Sequence, residues 1–130
     1  MTLLTLEQLL EIHVLVVEET GGSVGLRDLG RLESAIATQT QNVFDEELYR
    51  STSEKAAAMV RSIIADHPFV DGNKRTAMLA GLTLLRINKT SFHAQQGEIE
   101  DFAVLVAVEK LDVPTITQWL HRRSADEKFS

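Results

Sequence analysis

Pro68 interrupts what would otherwise read as one long apolar helix, and no other position constrains the fold as much. Before it, Ala56, Met59, Val60, Ile63 and Ile64 recur at helical spacing. After it, Met78, Leu79, Leu82 and Leu85 do the same. A residue that precedes proline is pushed out of the right-handed helical region. The first of these helices, starting near Ser51 or Ser53, must therefore end near His67. The second begins at about Gly72 or Asn73 and runs to about Asn88. The polar segment between them joins two helices that otherwise read as core.

The remaining spacing is also helical. Thr5-x-x-Gln8 fits a capping box, and Leu6, Leu9, Leu10, His13, Val14 and Val17 share one face of a helix running to Thr20. Gly21-Gly22 stops it. A second helix spans Asp28 to Ala37. From Gln39 to Leu48 no period holds, which predicts a loop or short hairpin. Ser51-x-x-Glu54 is a further capping box. Helices over Glu98–Leu111 and from Pro114, carrying Ile116, Trp119 and Leu120, complete the chain. Proline suits a first helical turn. The expected fold is all-α: a compact bundle of about six helices with at most a small β-hairpin flap. Residues 1–130 read as one domain, with the tail from Ser124 to Ser130 frayed.

Composition narrows the function. The 130 residues fit a single domain, and 44% apolar with 25% charged residues is ordinary for a globular chain. With no cysteine, a disulfide scaffold, a thiolate zinc site and a cysteine nucleophile are excluded. No apolar run is long enough to span a membrane, and the N-terminus has no secretory pattern. The expectation is a cytoplasmic protein without a membrane role. A net charge of −6 argues against direct nucleic-acid binding, although a local basic pocket can override the global sign.

The chemistry concentrates in His67-Pro68-Phe69-Val70-Asp71-Gly72-Asn73-Lys74-Arg75-Thr76. Asn73, Lys74 and Arg75 fall at a helix start, where free N–H groups and the positive dipole end favour an anion. Gly72 permits a sharp turn and close approach to a ligand. Lys74 and Arg75 add full charges, and arginine grips phosphate oxygens bidentately. Asp71 lies just ahead of this cradle. One carboxylate with phosphate oxygens and water is a common way to hold magnesium. His67 can take a proton from an attacking hydroxyl. Phe69 reads as an apolar anchor for the loop. Together the parts suggest phosphoryl or nucleotidyl transfer, which depends on positioning and electrostatics.

Each residue alone has an ordinary reading: a helix-ending histidine, an Asp-Gly turn, a solvated first turn. Their joint occurrence in one loop favours a site. No glycine-rich phosphate loop of the common nucleotide folds is present. His13, His93 and His121 show no metal spacing, and His13, on an apolar face, reads as core or rim. Arg27, Asp28, Arg31 and Glu33 read as capping and surface pairing. Trp119 reads as core.

The segment from His67 to Arg75 resembles the Fic/Doc family motif H-x-F-x-[D/E]-[A/G]-N-[G/K]-R, with every fixed position filled. Gly21-Gly22, Leu32-Glu33-Ser34-Ala35, Leu48-Tyr49 and Glu54-Lys55-Ala56-Ala57 are similar to its Doc branch. The resemblance implies a small helical bundle. It makes His67 the general base acting on a target hydroxyl and Asp71 the Mg2+ ligand. Gly72, Asn73, Lys74 and Arg75 then bind the ATP phosphates. Asp71, Lys74 and Arg75 join His67 as catalytic residues. The stretch from about Gln39 to Leu48 corresponds to a flap that aligns the target segment.

Typical Fic enzymes transfer AMP, carry glycine after the asparagine, and have a second arginine three residues after the first. Here Lys74 replaces that glycine and Met78 fills the second arginine position; Doc proteins share this lysine and act as kinases. The resemblance therefore implies a toxin of a toxin–antitoxin pair. It would move the γ-phosphate of ATP to a Ser or Thr hydroxyl of a protein target, expected to be elongation factor Tu, and so block translation. Gly72 leans toward the AMP-transfer pattern, which keeps an AMP transferase as the second reading. A non-catalytic antitoxin-binding module is the third. No inhibitory [S/T]-x-x-x-E-[G/N] string occurs in the chain, so a Phd-like antitoxin is the expected partner, inserting an apolar helix into a groove of the bundle.

Overall fold

In a computed structural model, residues 1–126 are described. Six α-helices form the frame: α1 (Leu6–Thr20), α2 (Leu29–Ala37), α3 (Thr52–Asp66), α4 (Asn73–Ile87), α5 (Glu98–Glu109) and α6 (Val113–Arg122). Four very short strands accompany them, β1 (Asn42–Val43), β2 (Glu46–Glu47), β3 (Thr90–Phe92) and β4 (Ser124–Asp126). The expected all-α bundle with a small flap is the observed architecture.

The capping chemistry sets the helix starts. The Thr5 hydroxyl accepts from the Gln8 N–H at 3.1 Å while the Gln8 side chain accepts from the Thr5 N–H at 2.9 Å. Ser51 and Glu54 repeat the exchange at the head of α3. Asp28 and Asp112 cap α2 and α6. Asp28 also pairs with Arg31, whose guanidinium donates to the Asp66 carbonyl at the end of α3. That part of the charged cluster is capping, as its composition suggested.

Helix α3 is the axis of the bundle, and α2, α4, α5 and α6 pack around it. Every residue from Lys55 to Val60 is buried. A helix apolar on all sides belongs in the middle of a fold. Its closest neighbour is α4. At Gly81 a Cβ would lie 2.7 Å from Val60 Cγ2, so the absence of a side chain sets how closely the two helices approach.

The segment from Gln39 to Leu48 becomes a hairpin. β1 pairs antiparallel with β2, with Asn42 opposite Glu47. Its two-residue tip, Phe44-Asp45, holds φ of 52° and 64°. That mirrored turn suits the twist of a hairpin but is usually built from Asn and Gly. The base of the hairpin is tied to α3 by Lys55, a buried lysine whose ammonium donates to the Gln39 carbonyl and meets Glu47 at 3.1 Å.

The chain end departs from expectation. Instead of fraying from Ser124, residues 124–126 form β4, antiparallel to β3, with Ser91 opposite Ala125. Backbone pairing with Thr90–Phe92 supplies the order that side-chain pattern did not reveal. Residues 127–130 of the expected tail lie outside the described residues. Trp119 stacks on Phe102 at 3.9 Å between centroids, with the Arg123 guanidinium over its ring, and so serves packing.

Gly81 generates a stability prediction of opposite sign in two backgrounds. Gly81→Ala in the wild-type chain should destabilise by about 1–3 kcal/mol through overpacking against Val60. In a Val60→Ala background the clash is gone, and the same replacement should stabilise by up to about 1 kcal/mol through helix propensity. Urea unfolding of the four chains measures both; the same sign in each would refute the packing account.

Candidate active site

The connection between α3 and α4 is held residue by residue. His67 ends α3 in the left-handed region, φ 49° and ψ 61°, with its N–H still bonded to the Ile63 carbonyl at 3.1 Å. A non-glycine residue there carries strain, which surrounding contacts must hold in place. The Pro68 carbonyl accepts from Arg27 N–H at 2.7 Å and Asp28 N–H at 3.0 Å. Val70 N–H donates to the Gly25 carbonyl at 3.0 Å. The loop therefore runs antiparallel to the segment before α2, with Leu26 and Phe69 bridged.

Phe69 is 1% exposed, as its reading as an anchor requires. Its ring lies flat on the imidazole of His13, with centroids 3.8 Å apart and planes 9° from parallel. Its backbone is clamped by Asn73, whose side-chain oxygen accepts from Phe69 N–H at 3.0 Å and whose amide donates to the Phe69 carbonyl at 2.9 Å. The Asn73 side chain thus shapes the loop. What this residue retains for a ligand is its backbone N–H. Asp71 accepts from the Ser23 N–H at 2.9 Å through one carboxylate oxygen and is otherwise exposed.

Helix α4 opens with Gly72 as its N-cap, at φ 73° and ψ 22°, with no side chain to cap the first turn. The first backbone bond into the helix is Thr76 N–H to the Gly72 carbonyl, at 2.9 Å. The N–H groups of residues 73–75 thus belong to the set a helix terminus leaves without intrahelical partners. Lys74 and Arg75 are exposed in this same turn. Positive side chains at a positive dipole end disfavour the fold slightly and favour an anion. Arg75 also borders an apolar cleft of about 200 Å³ between α1, α4 and α5, with Met78 in its wall. His67 borders a separate cleft of about 270 Å³, beside Arg61 and Lys110.

Sequence reasoning missed the parts played by four residues. Ser23 holds Asp71 through a backbone N–H, which no residue type signals. Arg61, in α3, and Lys110, just past the end of α5, line the His67 cleft. His13 was legible as a buried residue on an apolar face but not as a partner of the loop. Among the described residues no cluster of three or more His, Cys, Asp or Glu side chains forms a metal site. A single carboxylate fits a metal held largely by phosphate oxygens and water, not by a protein cage. No helix of the described residues is long and apolar enough to cross a membrane.

Fold and loop together define a class: an all-α domain built around a histidine-headed loop at an uncapped helix N-terminus. The Fic/DOC family model matches residues 3–85. Toxin Doc of Mycolicibacterium smegmatis (strain ATCC 700084 / mc(2)155) is 37% identical over 98 residues, covering 74% of this chain and 75% of that protein. Protein kinase doc of Escherichia phage P1 is 30% identical over 116 residues, covering 89% and 90%. The chain belongs to the Fic/DOC family, and its relatives place it with the Doc branch.

Burial beneath the loop holds the His13 pKa below its ordinary 6.5, against a smaller opposing pull from the Asp71 charge. The unfolded chain therefore takes up this proton at a higher pH than the folded one. The resulting stability is present above about pH 6.5 and is lost as pH falls through that value toward the lower folded pKa. Unfolding free energies at pH 7.5 and 5.5 should drop more steeply for the wild type than for His13→Gln. Parallel slopes would refute the assignment.

Proposed function

We propose that this chain is the toxin of a toxin–antitoxin pair and a Doc-type protein kinase. The observation that carries this reading is the open, cationic first turn of α4, directly continuous with the loop that begins at His67. Three backbone N–H groups with Lys74 and Arg75 suit the phosphates of ATP. Asp71, with one oxygen committed to Ser23, has the other for a magnesium ion that arrives with the nucleotide. When bound, that ion neutralises charge on the phosphates.

In this reading the hydroxyl of a Ser or Thr in a target protein loses its proton to His67 as its oxygen attacks the γ-phosphorus of ATP. The bond between that phosphorus and the bridging oxygen breaks, and ADP leaves. The products are a phosphorylated protein, ADP and a proton held on His67. Lys74 and Arg75 offset the charge that grows on the phosphate oxygens. The hairpin of β1 and β2 is the surface that aligns the target. The expected target is elongation factor Tu, whose modification would stop translation in the cytoplasm. The description of the phage P1 relative as a protein kinase supports γ-phosphate transfer. An AMP transferase on the same site is the second reading, favoured by Gly72. The toxin names of the relatives support an antitoxin partner of the Phd kind, with the apolar cleft beside Arg75 suited to an apolar helix.

The chain, incubated with Mg2+, ATP and bacterial elongation factor Tu, should add one phosphate to the target by intact mass. His67→Ala should reduce the rate by at least about 100-fold, the scale of a lost general base. Addition of one AMP instead would replace kinase by AMP transferase.

A further inference from the structure

We infer that His13, in α1, is a positioning residue for the His67–Arg75 loop, acting through a specific tautomer. The inference rests on the reading of that loop as a transfer site. His13 is 2% exposed and reaches no solvent-facing part of the loop. Yet its ring touches each segment that builds the site. One face stacks on Phe69. Nδ1 lies 3.2 Å from the Thr76 hydroxyl in the first turns of α4. On the opposite edge, Nε2 lies 3.5 Å from the N–H of Gly25.

The partners fix the proton. A backbone N–H can only donate, so Nε2 must be the unprotonated nitrogen. Nδ1 then carries the hydrogen and donates to Thr76. A neutral imidazole with this tautomer satisfies both contacts, and its burial disfavours the charged alternative, whose Nε2–H would face another donor.

The geometry makes the contact consequential. Phe69 stands two residues after His67 and two before Asp71. Its backbone is held by Asn73 from α4, and its ring by His13 from α1. Gly25 accepts Val70, and Ser23 holds Asp71. A shift of the imidazole therefore moves the base and the carboxylate relative to the α4 terminus, which the helix itself fixes. A phenylalanine would keep the stack but abandon both polar edges. This is a reason for histidine at an otherwise apolar position.

The test compares wild type, His13→Phe, Thr76→Val, Thr76→Ser and the double variant His13→Phe/Thr76→Val. Readouts are thermal unfolding, transfer to elongation factor Tu with Mg2+ and ATP, and the histidine ring nitrogens by NMR. In the wild type, His13 should show a protonated Nδ1 and a bare Nε2. His13→Phe should remain folded and lose at least about tenfold in kcat, with KM for ATP changed by less than about threefold, because misplacement acts on the aligned step. Thr76→Val should lose part of the same rate, Thr76→Ser should regain it, and the double variant should lose no more than His13→Phe alone.

A folded His13→Phe with unchanged kcat, additive losses in the double variant, or the opposite tautomer would overturn the inference. If His13→Phe does not fold, the contrast of Thr76→Val with Thr76→Ser decides. If the wild type transfers neither phosphate nor AMP to this target, the proposed function fails on that target. The inference is then decided by the ring signals of His67. A shift in folded His13→Phe or Thr76→Val supports positioning, and no shift refutes it.

Discussion

The seating of Phe69 is the contact on which the site depends. Ordering the loop from His67 to Gly72 costs about 1–2 kcal/mol of backbone entropy for each residue. Burying one phenylalanine returns about 2–3 kcal/mol, which is too little alone. Six hydrogen bonds make up the difference: two to the Pro68 carbonyl, two between Asn73 and Phe69, one from Val70 and one to Asp71. At about 1 kcal/mol each they bring the two sides close to balance. The loop is thus held by many weak anchors around one strong one. Their geometry explains how a strained His67 is kept at the surface, in a conformation the isolated segment would not adopt.

The helices were legible because their determinants are local. Thr5, Ser51, Asp28 and Pro114 mark starts by chemistry that acts within one turn, and apolar spacing marks the faces. The loop residues were legible because each carries a functional group unsuited to a plain connection. What escaped was non-local. β3 and β4 are three residues each, shorter than any period that spacing can reveal, and they pair across more than thirty positions. The inward turn of Asn73 was hidden for a different reason. An amide at a helix start suits a ligand and a neighbouring backbone equally well, and only the path of Phe69 decides. Lys55 sits in an alanine-rich helix and is 3% exposed, because a carbonyl and a carboxylate distant in sequence meet its ammonium.

That lysine also separates a rigid base from a free tip in the flap. A buried ammonium is costly to leave unpaired, so its contacts with Gln39 and Glu47 hold the hairpin stem on α3. Gln39 is itself held by Leu4 through both its backbone groups, which ties the stem to the segment before α1. The tip has no such restraint, and Phe44 is 96% exposed there. A large apolar side chain on a strained two-residue turn is unfavourable in isolation. The stem fixes where this exposed ring stands relative to the loop.

Charge at the start of α4 follows the same logic. The chain is acidic overall, at −6, yet it sets two cations against the positive end of a helix dipole. Each such placement disfavours the folded state by about 0.3–1 kcal/mol. Nearby anionic side chains do not relieve it: Asp71 is bonded to Ser23, and no salt bridge to Lys74 or Arg75 is found among the described residues. An anion that binds there would offset that cost, in addition to making its own contacts. Ligand binding and folding are then coupled by mass action, since only the folded chain offers the terminus. The open cap at Gly72, the strained His67 and the unfavourable cations are one arrangement, and its local costs are met by the buried packing of α3 against α4.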